Sequence, residues 1–315
     1  MDDGASTNSL AIALFVCVGN LATLRAIGRS RRLRTIPNMY IGSLALADCM
    51  VGLLLFVQSI CTMPFAERIL ERSEYLCLSV ISALFVSVSA SLFSLLLVAC
   101  DRYIYILRSL TYSTLITKSR SAKAILLTWI VAVVYGTIPI YTSHYSVGIG
   151  CEPTHIFNDI YMIVVHPILF FSISALVLAI YTHIAKIAYG QRKRIELQHS
   201  TVNGKPAGEQ AVTNKSWKII RVLMLVFGLF FLNWCPLVVL GFLEYTVHVS
   251  HQALTAASLL AVLNSGVNCV VLALMNKDFR REYAMFFGLR RGCCCGYNNN
   301  AVEPLNTVSS QIDSW

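Results

Sequence analysis

The stretch SASLFSLLLVACDRY, residues 89–103, joins a long apolar run to a pair of charged residues. The run extends over residues 75–106, which is longer than the roughly 20 residues that cross a membrane as a helix. Asp101 and Arg102 lie near its end, where a long charged side chain can reach the polar interface. The stretch therefore predicts a membrane-spanning helix with an acid–base pair at one rim.

Six other apolar runs accompany this one. Apolar residues make up 56% of the 315-residue chain and charged residues only 13%, whereas soluble domains carry about 25% charged residues. We predict an all-α membrane protein, a seven-transmembrane helix bundle in residues 1–290, followed by a disordered cytoplasmic tail in residues 291–315. The predicted spans are 9–27, 38–63, 75–106, 122–142, 157–188, 217–245 and 252–274.

The Lys and Arg residues between the spans predict the orientation. The segments after spans 1, 3 and 5 and after span 7 are basic, whereas the opposite side carries Arg68 and Arg72 among acidic residues. Basic segments stay in the cytoplasm, so we expect the N-terminus outside and the C-terminus inside the plasma membrane. This topology accounts for the net charge of +9 without nucleic acid as a partner.

Composition predicts the structure of two cytoplasmic segments. Residues 189–214 are polar and contain Gly, which predicts a flexible loop. Residues 277–287 predict a short amphipathic eighth helix, with Phe279, Tyr283, Phe286 and Phe287 toward the bilayer and Arg280 and Arg281 toward water. The cysteines beyond it suit palmitoylation, the alternative being free cytosolic thiols; they are Cys293, Cys294 and Cys295.

Several polar residues lie inside the spans, where each needs a partner. They either hydrogen-bond helix to helix or, around one carboxylate, form an oxygen-rich site for a hard cation such as sodium. On the outer side, Cys77 and Cys151 are candidates for a disulfide, with Cys61 as a competitor. The intramembrane polar set is Asn20, Asp48, Ser91, Asn264, Ser265 and Asn268.

In order and spacing, these residues resemble the rhodopsin-like family of G-protein-coupled receptors over nearly the whole chain. Asn20 matches the family Asn of helix 1, and the sequence LALAD ending at Asp48 matches the signature of helix 2. The sequence DRY at residues 101–103 matches the end of helix 3, and Trp129 matches the helix 4 Trp. Helix 6 carries F-x-x-x-W-x-P as Phe230, Trp234 and Pro236, and Phe279-Arg280 matches the start of the eighth helix.

The resemblance implies a role for each group of residues. Heterotrimeric G protein would couple through the inner end of helix 3 and its neighbours. The helix 6 residues Phe230, Trp234 and Pro236 would form the activation switch, with Pro236 supplying a kink. An allosteric sodium pocket, centred on Asp48 and Ser91, would be formed by Asn20, Asp48, Ser91, Asn264 and Asn268. The implied coupling residues are Asp101, Arg102, Tyr103, Leu110 and Tyr181.

Two departures from the family pattern concern the cytoplasmic end. Span 7 reads Asn268-Cys-Val-Val-Leu272 in place of N-P-x-x-Y, so Leu272 cannot make the hydrogen bond of the family Tyr toward Tyr181. The base of helix 6 also lacks the acid that often pairs with the DRY arginine. We therefore expect Arg102 to depend on Asp101 alone for restraint, with raised basal activity or weak ligand-driven coupling.

The resemblance places a ligand pocket between the outer halves of spans 3, 5, 6 and 7. Leu84 stands where amine receptors have Asp, and Val262 where opsins have Lys, so a neutral, lipid-like ligand fits best. His166 and Ser258 could orient a polar head, although His166 is equally well explained as a packing residue. The predicted lining is Leu84, Phe85, Val88, Val165, His166, Leu169, Trp234, Leu237, Val238, Gly241, Ser258 and Val262.

The cues to a subfamily point to the cannabinoid, lysophospholipid and lipid-amide branch. The absence of the helix 5 proline, at Ile173, and segments such as residues 41–45 and 89–94 carry this resemblance. An adenosine- or amine-like receptor and an orphan receptor without a small ligand stay open. The expected partners are G protein, membrane lipid and a small lipid-like ligand; a homo-oligomer also stays open, including a non-signalling dimer partner.

A membrane transporter is the main alternative class. It predicts inverted repeats or several intramembrane charges, but the chain has no evident repeat and Asp48 is its one clear mid-span charge. A membrane enzyme would need a catalytic constellation, and no HExxH, GxSxG or paired-carboxylate motif occurs in the spans. We therefore expect no enzyme activity and no cofactor other than the sodium ion.

Overall fold

The computed structural model describes residues 3–61, 73–143, 151, 158–201, 207–244, 247 and 249–289. Side chains are placed for these residues apart from 3–7, 61, 191–192, 194–201, 207–223 and 251. The predicted tail, with Cys293, Cys294 and Cys295, lies outside the described residues.

Eight principal helices build the described part of the chain. They are α1 (Asp3–Arg29), α2 (Ile36–Cys61), α3 (Glu74–Leu107), α4 (Lys118–Thr142), α5 (His166–Thr201), α6 (Ala207–Leu243), α7 (His251–Met275) and α8 (Lys277–Phe286). Seven of these are long and apolar enough to cross a membrane. The predicted seven-transmembrane, all-α architecture with a short eighth helix is confirmed.

The helices form a closed bundle with α3 at its centre. Helix α1 packs against α2 and α7, and α3 packs against α2, α4 and α5. Helix α6 lies between α5 and α7, which closes the ring. Helix α4 approaches α3 very closely at Gly136, where an added Cβ would lie 2.5 Å from the Val86 backbone nitrogen. Such small residues let the backbones of membrane helices pack tightly.

The prediction of a flexible loop at residues 189–214 is wrong for most of that range. Helix α5 continues to Thr201 and α6 begins at Ala207. Gln, Lys, Arg, Glu and Leu dominate residues 191–197, and all of them are good helix formers. Once a helix is anchored in the membrane, extending it into water requires no new nucleation. Only residues 202–206, outside the described part, separate the two helices.

Two short elements position the functional groups. A π-helical segment, Tyr161–Val165, leads into α5. Further along α5, Ile173 occupies the position of the family proline and is buried among side chains of α3, α5 and α6. A short helix, Tyr112–Leu115, follows α3 and buries its first residue. π-Helical segments often occur near functional sites.

Candidate functional site

The inner end of α3 carries a buried polar cluster. Asp101 and Arg102 are 3% and 5% exposed, and the Arg102 Nε donates to Asp101 Oδ2 at 3.0 Å. The Tyr112 hydroxyl donates to the other carboxylate oxygen, Oδ1, at 2.6 Å. Asp101 therefore joins the charge of Arg102 to the segment that follows α3.

Tyr112 is held in its protonated form. Burial, followed by the negative charge of Asp101, raises the pKa of the Tyr112 phenol, because both favour the neutral group. The ring also meets Tyr105 edge-on, with ring centroids 5.2 Å apart. A phenol that keeps its proton is a permanent donor to the Asp101 carboxylate.

The expectation that Asp101 alone restrains Arg102 needs correction. The Arg102 guanidinium also lies over the Tyr105 ring, 5.4 Å from its centroid, a cation–π contact that adds to the ion pair. Tyr103, the third member of the motif, bonds across to α5: its hydroxyl lies 3.0 Å from His183 Nδ1. Leu110 is 96% exposed, so it is available to a partner.

A second buried polar cluster lies in the middle of the bundle. Asp48 is fully buried, and its two oxygens accept hydrogen bonds from Ser91 Oγ at 2.9 Å and Asn268 Nδ2 at 2.8 Å. Asn20 donates to the Ser265 carbonyl at 3.0 Å, which ties α1 to α7. Asn264 is buried near them. The structure thus brings the predicted polar set together.

The oxygen-rich composition of this cluster fits sodium. The carboxylate, hydroxyl and amide oxygens around Asp48 are the ligand types that hard cations prefer. Within the described residues, the one ion pair joins Arg102 and Asp101, so no protein cation neutralises Asp48. The chemistry of the site is therefore compatible with the predicted ion.

An aromatic column links the outer half of α6 to the inner end of α5. Trp234 and Phe230 are buried with ring centroids 6.2 Å apart. Phe230 stacks with Phe227 at 6.3 Å, and Phe227 lies 6.1 Å from Tyr181. The predicted switch residues are therefore in packing contact with the Tyr181 ring near the coupling end.

The predicted ligand-pocket residues are distributed over three apolar clusters. Leu84 and Val262 pack with α1 and α2 side chains, Phe85 packs beside the disulfide, and Leu237 and Val238 join the aromatic column. Val88 and Leu169 each contact two of these clusters. Apart from these residues, Val165 is 37% exposed, Gly241 is partly buried, and Ser258 donates to its own helix at the Thr255 carbonyl.

His166 has a protein partner. Its Nδ1 lies 2.8 Å from the Tyr135 hydroxyl of α4, and its ring meets Phe85 edge-on at 5.5 Å. The alternative reading of His166 as a packing residue thus has direct structural support. The nearby Cys77–Cys151 disulfide is present, with a Cα–Cα distance of 5.8 Å, as predicted.

The prediction that Phe279 and Tyr283 face the bilayer is wrong. Both are buried, at 0% and 8% exposure, against α1 and the loop that follows it. Thr23 donates to the Gly19 carbonyl, so the Tyr283 hydroxyl donates to Thr23 Oγ1, at 2.7 Å. Phe286 and Phe287 are exposed as expected, at 38% and 53%. The two rings turn inward because α1 offers a small-residue surface, Ala22 and Ala26.

Several residues that complete these clusters carried no signal in a single sequence. Tyr112 and Tyr105 reach Arg102 and Asp101 only through the fold, and His183 meets Tyr103 across two helices. For Tyr112, the only sequence signal is a tyrosine within the short polar segment that follows α3. The partners of the aromatic column, Phe170 and Phe227, resemble ordinary apolar span residues.

The fold and clusters agree with the relationships of the sequence. Residues 19–271 match the model of the seven-transmembrane receptor (rhodopsin) family. The chain is 26% identical to the Homo sapiens histamine H2 receptor, and the match covers 96% of this chain and 84% of the relative. The Canis lupus familiaris histamine H2 receptor is 28% identical, with coverages of 96% and 83%. The Takifugu rubripes cannabinoid receptor type 1B is 25% identical, with coverages of 96% and 66%. The chain belongs to the rhodopsin family of seven-transmembrane, G-protein-coupled receptors, and it is therefore a multi-pass membrane receptor and not an enzyme.

Proposed function

We propose that this receptor responds to a neutral, lipid-like ligand from the extracellular side. The observation that carries the proposal is the environment of Leu84. This residue packs with Val51, Leu55 and Val262 in an apolar cluster, where a cationic amine would be desolvated without a partner. Val88 and Leu169 extend the apolar surface from this cluster to Trp234 and the disulfide region.

A ligand panel on cells expressing the receptor tests this proposal. We expect long-chain N-acylethanolamides to change cyclic AMP, and biogenic amines, including histamine, to leave it unchanged. Leu84→Asn should weaken the lipid response about tenfold, because an unpaired amide in this cluster costs about 1–3 kcal/mol. The matched variant Leu84→Ile keeps the apolar surface and should respond normally.

An amine ligand is the second candidate, and one observation favours it. At the outer end of α6, the Glu244 Oε2 is buried and has no hydrogen-bond partner among the described residues. A buried carboxylate oxygen of this kind would suit an ammonium group. Activation by an amine that Glu244→Gln abolishes, with lipids silent, would replace the lipid proposal with this one. Silence toward both panels, with a high basal signal, would contradict both and favour an orphan receptor.

We infer that the N-terminus lies outside and the C-terminus inside. The disulfide at Cys77 and the Arg102 cluster lie at opposite ends of α3, and disulfides form on the oxidising side of the membrane. The exposed arginines of the loop after α1 lie on the Arg102 side, as the positive-inside rule requires. An N-terminal epitope should bind antibody on intact cells, and a C-terminal epitope only after permeabilisation; the reverse pattern would reject this orientation.

We also propose that sodium binds beside Asp48, with Ser91, Asn264 and Asn268 as the other oxygen donors. A bound cation would supply the positive charge that the buried carboxylate lacks. Replacing NaCl with choline chloride should change basal signalling in the wild type and leave Asp48→Asn unaffected. An equal response of the wild type and Asp48→Asn to the salt exchange would contradict sodium binding at Asp48.

A further inference from the structure

A dense group of exposed cations lies where the loop after α1 meets α8, and it is called the basic rim here. None of its members forms an ion pair with a described carboxylate, because the one ion pair among the residues that the structure describes joins Arg102 and Asp101 of α3. Unpaired, exposed cations of this density repel one another unless an anion lies between them. The basic rim consists of Arg25, Arg29, Arg31, Arg32, Arg34, Lys277, Arg280 and Arg281, all exposed.

The two halves of the basic rim are held together by a rigid core. Leu33 of the loop and Phe279 of α8 are both fully buried in one apolar cluster with Tyr283. Arg31 and Arg32 directly precede Leu33, and Arg280 directly follows Phe279. Cations from two separate elements are therefore brought to one place by packing and by the Tyr283–Thr23 hydrogen bond.

The apolar contact of α8 with lipid is small. Because Phe279 and Tyr283 are buried in the protein, the exposed apolar residues are confined to the end of the helix, at Phe286, Phe287 and Leu289. Arg25 lies 5.9 Å from the centroid of the Phe286 ring, which places a cation of the rim beside this tip. An interfacial helix with little buried apolar area depends on electrostatic attraction to anionic lipids.

Few negative charges oppose the basic rim. Residues 4–47 contain no Asp or Glu, and α8 contributes Asp278 and Glu282 against the eight cations. The segment from the loop after α3 into the start of α4 is basic too. There Arg120 of α4 donates to the carbonyls of Thr114 and Leu115, and in the basic rim Arg34 donates to the Gly28 carbonyl. The charge of the basic rim is thus more concentrated than topology alone requires.

We propose that the basic rim binds the headgroup of a polyphosphoinositide in the cytoplasmic leaflet. Guanidinium groups bind phosphate through paired hydrogen bonds, and a headgroup with several phosphates can engage the loop and α8 at once. A singly charged phosphatidylserine headgroup has no second phosphate with which to bridge them. The proposal rests on the cytoplasmic placement of this side, which the epitope experiment tests independently.

The test uses the full-length receptor in phosphatidylcholine nanodiscs and a fluorescent, water-soluble dioctanoyl phosphatidylinositol bisphosphate. Anisotropy should show saturable binding to the wild type. The triple variant Arg31→Gln, Arg32→Gln, Arg280→Gln should bind about tenfold more weakly or worse, because each cation near the surface contributes about 1 kcal/mol. The control Arg108→Gln, Lys118→Gln, Lys123→Gln removes equal charge from the loop after α3 and the start of α4 and should change binding less than about threefold.

Two results would overturn the proposal. One is an equal loss of binding in the rim variant and the control, which would mean a diffuse surface charge. The other is displacement of the probe by dioctanoyl phosphatidylserine at the same concentration as by unlabelled phosphatidylinositol bisphosphate. If the triple variant does not fold, judged by its thermal unfolding, Arg32→Gln takes its place. Its expected loss of binding is about fivefold, which corresponds to about 1 kcal/mol, and Lys118→Gln is its control.

Discussion

The inner ends of α3 and α7 lie on the same side of the bundle but are stabilised in opposite ways. At α3, a buried acid–base pair is held by hydrogen bonds, because Asp101 bonds both Arg102 and Tyr112. At α7, Leu272 packs in an apolar cluster with α1 and α8, where the family pattern has a tyrosine. A side-chain hydrogen bond between Tyr283 and Thr23 ties α8 to α1 in that cluster.

This difference separates a releasable contact from a static one. An ion pair between buried groups can be exchanged for another partner of Arg102, such as a G protein, because the charge finds a new acceptor. An apolar cluster has no comparable alternative partner, so its residues stay packed. We therefore propose that the α3 end controls signalling and that the α7–α8 end gives structural support.

Breaking the ion pair at the α3 end should have the largest effect. Asp101→Asn leaves Arg102 buried without a counter-charge, a loss of about 3–5 kcal/mol from the restrained state. The strength of basal signalling, read through cyclic AMP and normalised to surface expression, should rise at least about tenfold, since about 1.4 kcal/mol corresponds to a factor of ten. Glu282→Gln in α8 is the matched control and should leave the basal signal unchanged. A silent Asp101→Asn at normal expression would count against the ion pair as the restraint.

Removing the hydroxyl of Tyr112 should have a smaller effect in the same direction. Tyr112→Phe deletes a hydrogen bond to a charged group, worth about 1.5–3 kcal/mol, and keeps the ring that meets Tyr105 edge-on. Tyr105→Phe is the control, because the contact with Arg102 is made by its ring and not by its hydroxyl. Basal signalling in a dose series of transfected receptor should rise for Tyr112→Phe and not for Tyr105→Phe. An equal basal signal from both variants would contradict a role for the Tyr112–Asp101 hydrogen bond.

Removing the hydroxyl of Tyr283 should have the smallest effect, and on stability alone. Tyr283→Phe deletes one buried hydrogen bond to Thr23, worth about 1 kcal/mol, and keeps the ring in its apolar cluster. The thermal unfolding temperature of the purified receptor should fall slightly, with basal signalling unchanged. A rise in basal signalling comparable to that of Tyr112→Phe would show that the α7–α8 end also controls activity.

Much of this architecture follows from patterns that a sequence displays directly. Long apolar runs must cross the membrane as helices, so the seven spans and the position of Arg102 were predictable. Polar residues within those runs need hydrogen-bond partners, and Ser91 and Asn268 both donate to Asp48. The side of the membrane on which Cys77 and Cys151 lie made them candidates for a disulfide, and the structure shows this pair where the sequence had left Cys61 as a competitor.

The remaining features depend on which residues meet across helices. Phe279 and Tyr283 have the spacing of a membrane-facing stripe, but Ala22 and Ala26 offer them a surface within the protein. Tyr112 reaches Asp101 because a short helix folds back under α3. The extension of α5 and α6 beyond the membrane was missed because polar helix formers and flexible loops have similar compositions.

The most direct test of the account is the basal signal of the double variant Asp101→Asn, Tyr112→Phe beside the two single variants. If Tyr112 acts by holding Asp101, the double variant should signal like Asp101→Asn alone, because the carboxylate that Tyr112 serves has already been removed. A double variant whose basal signal equals the two single effects combined would contradict the account, since Tyr112 would then act independently of the ion pair.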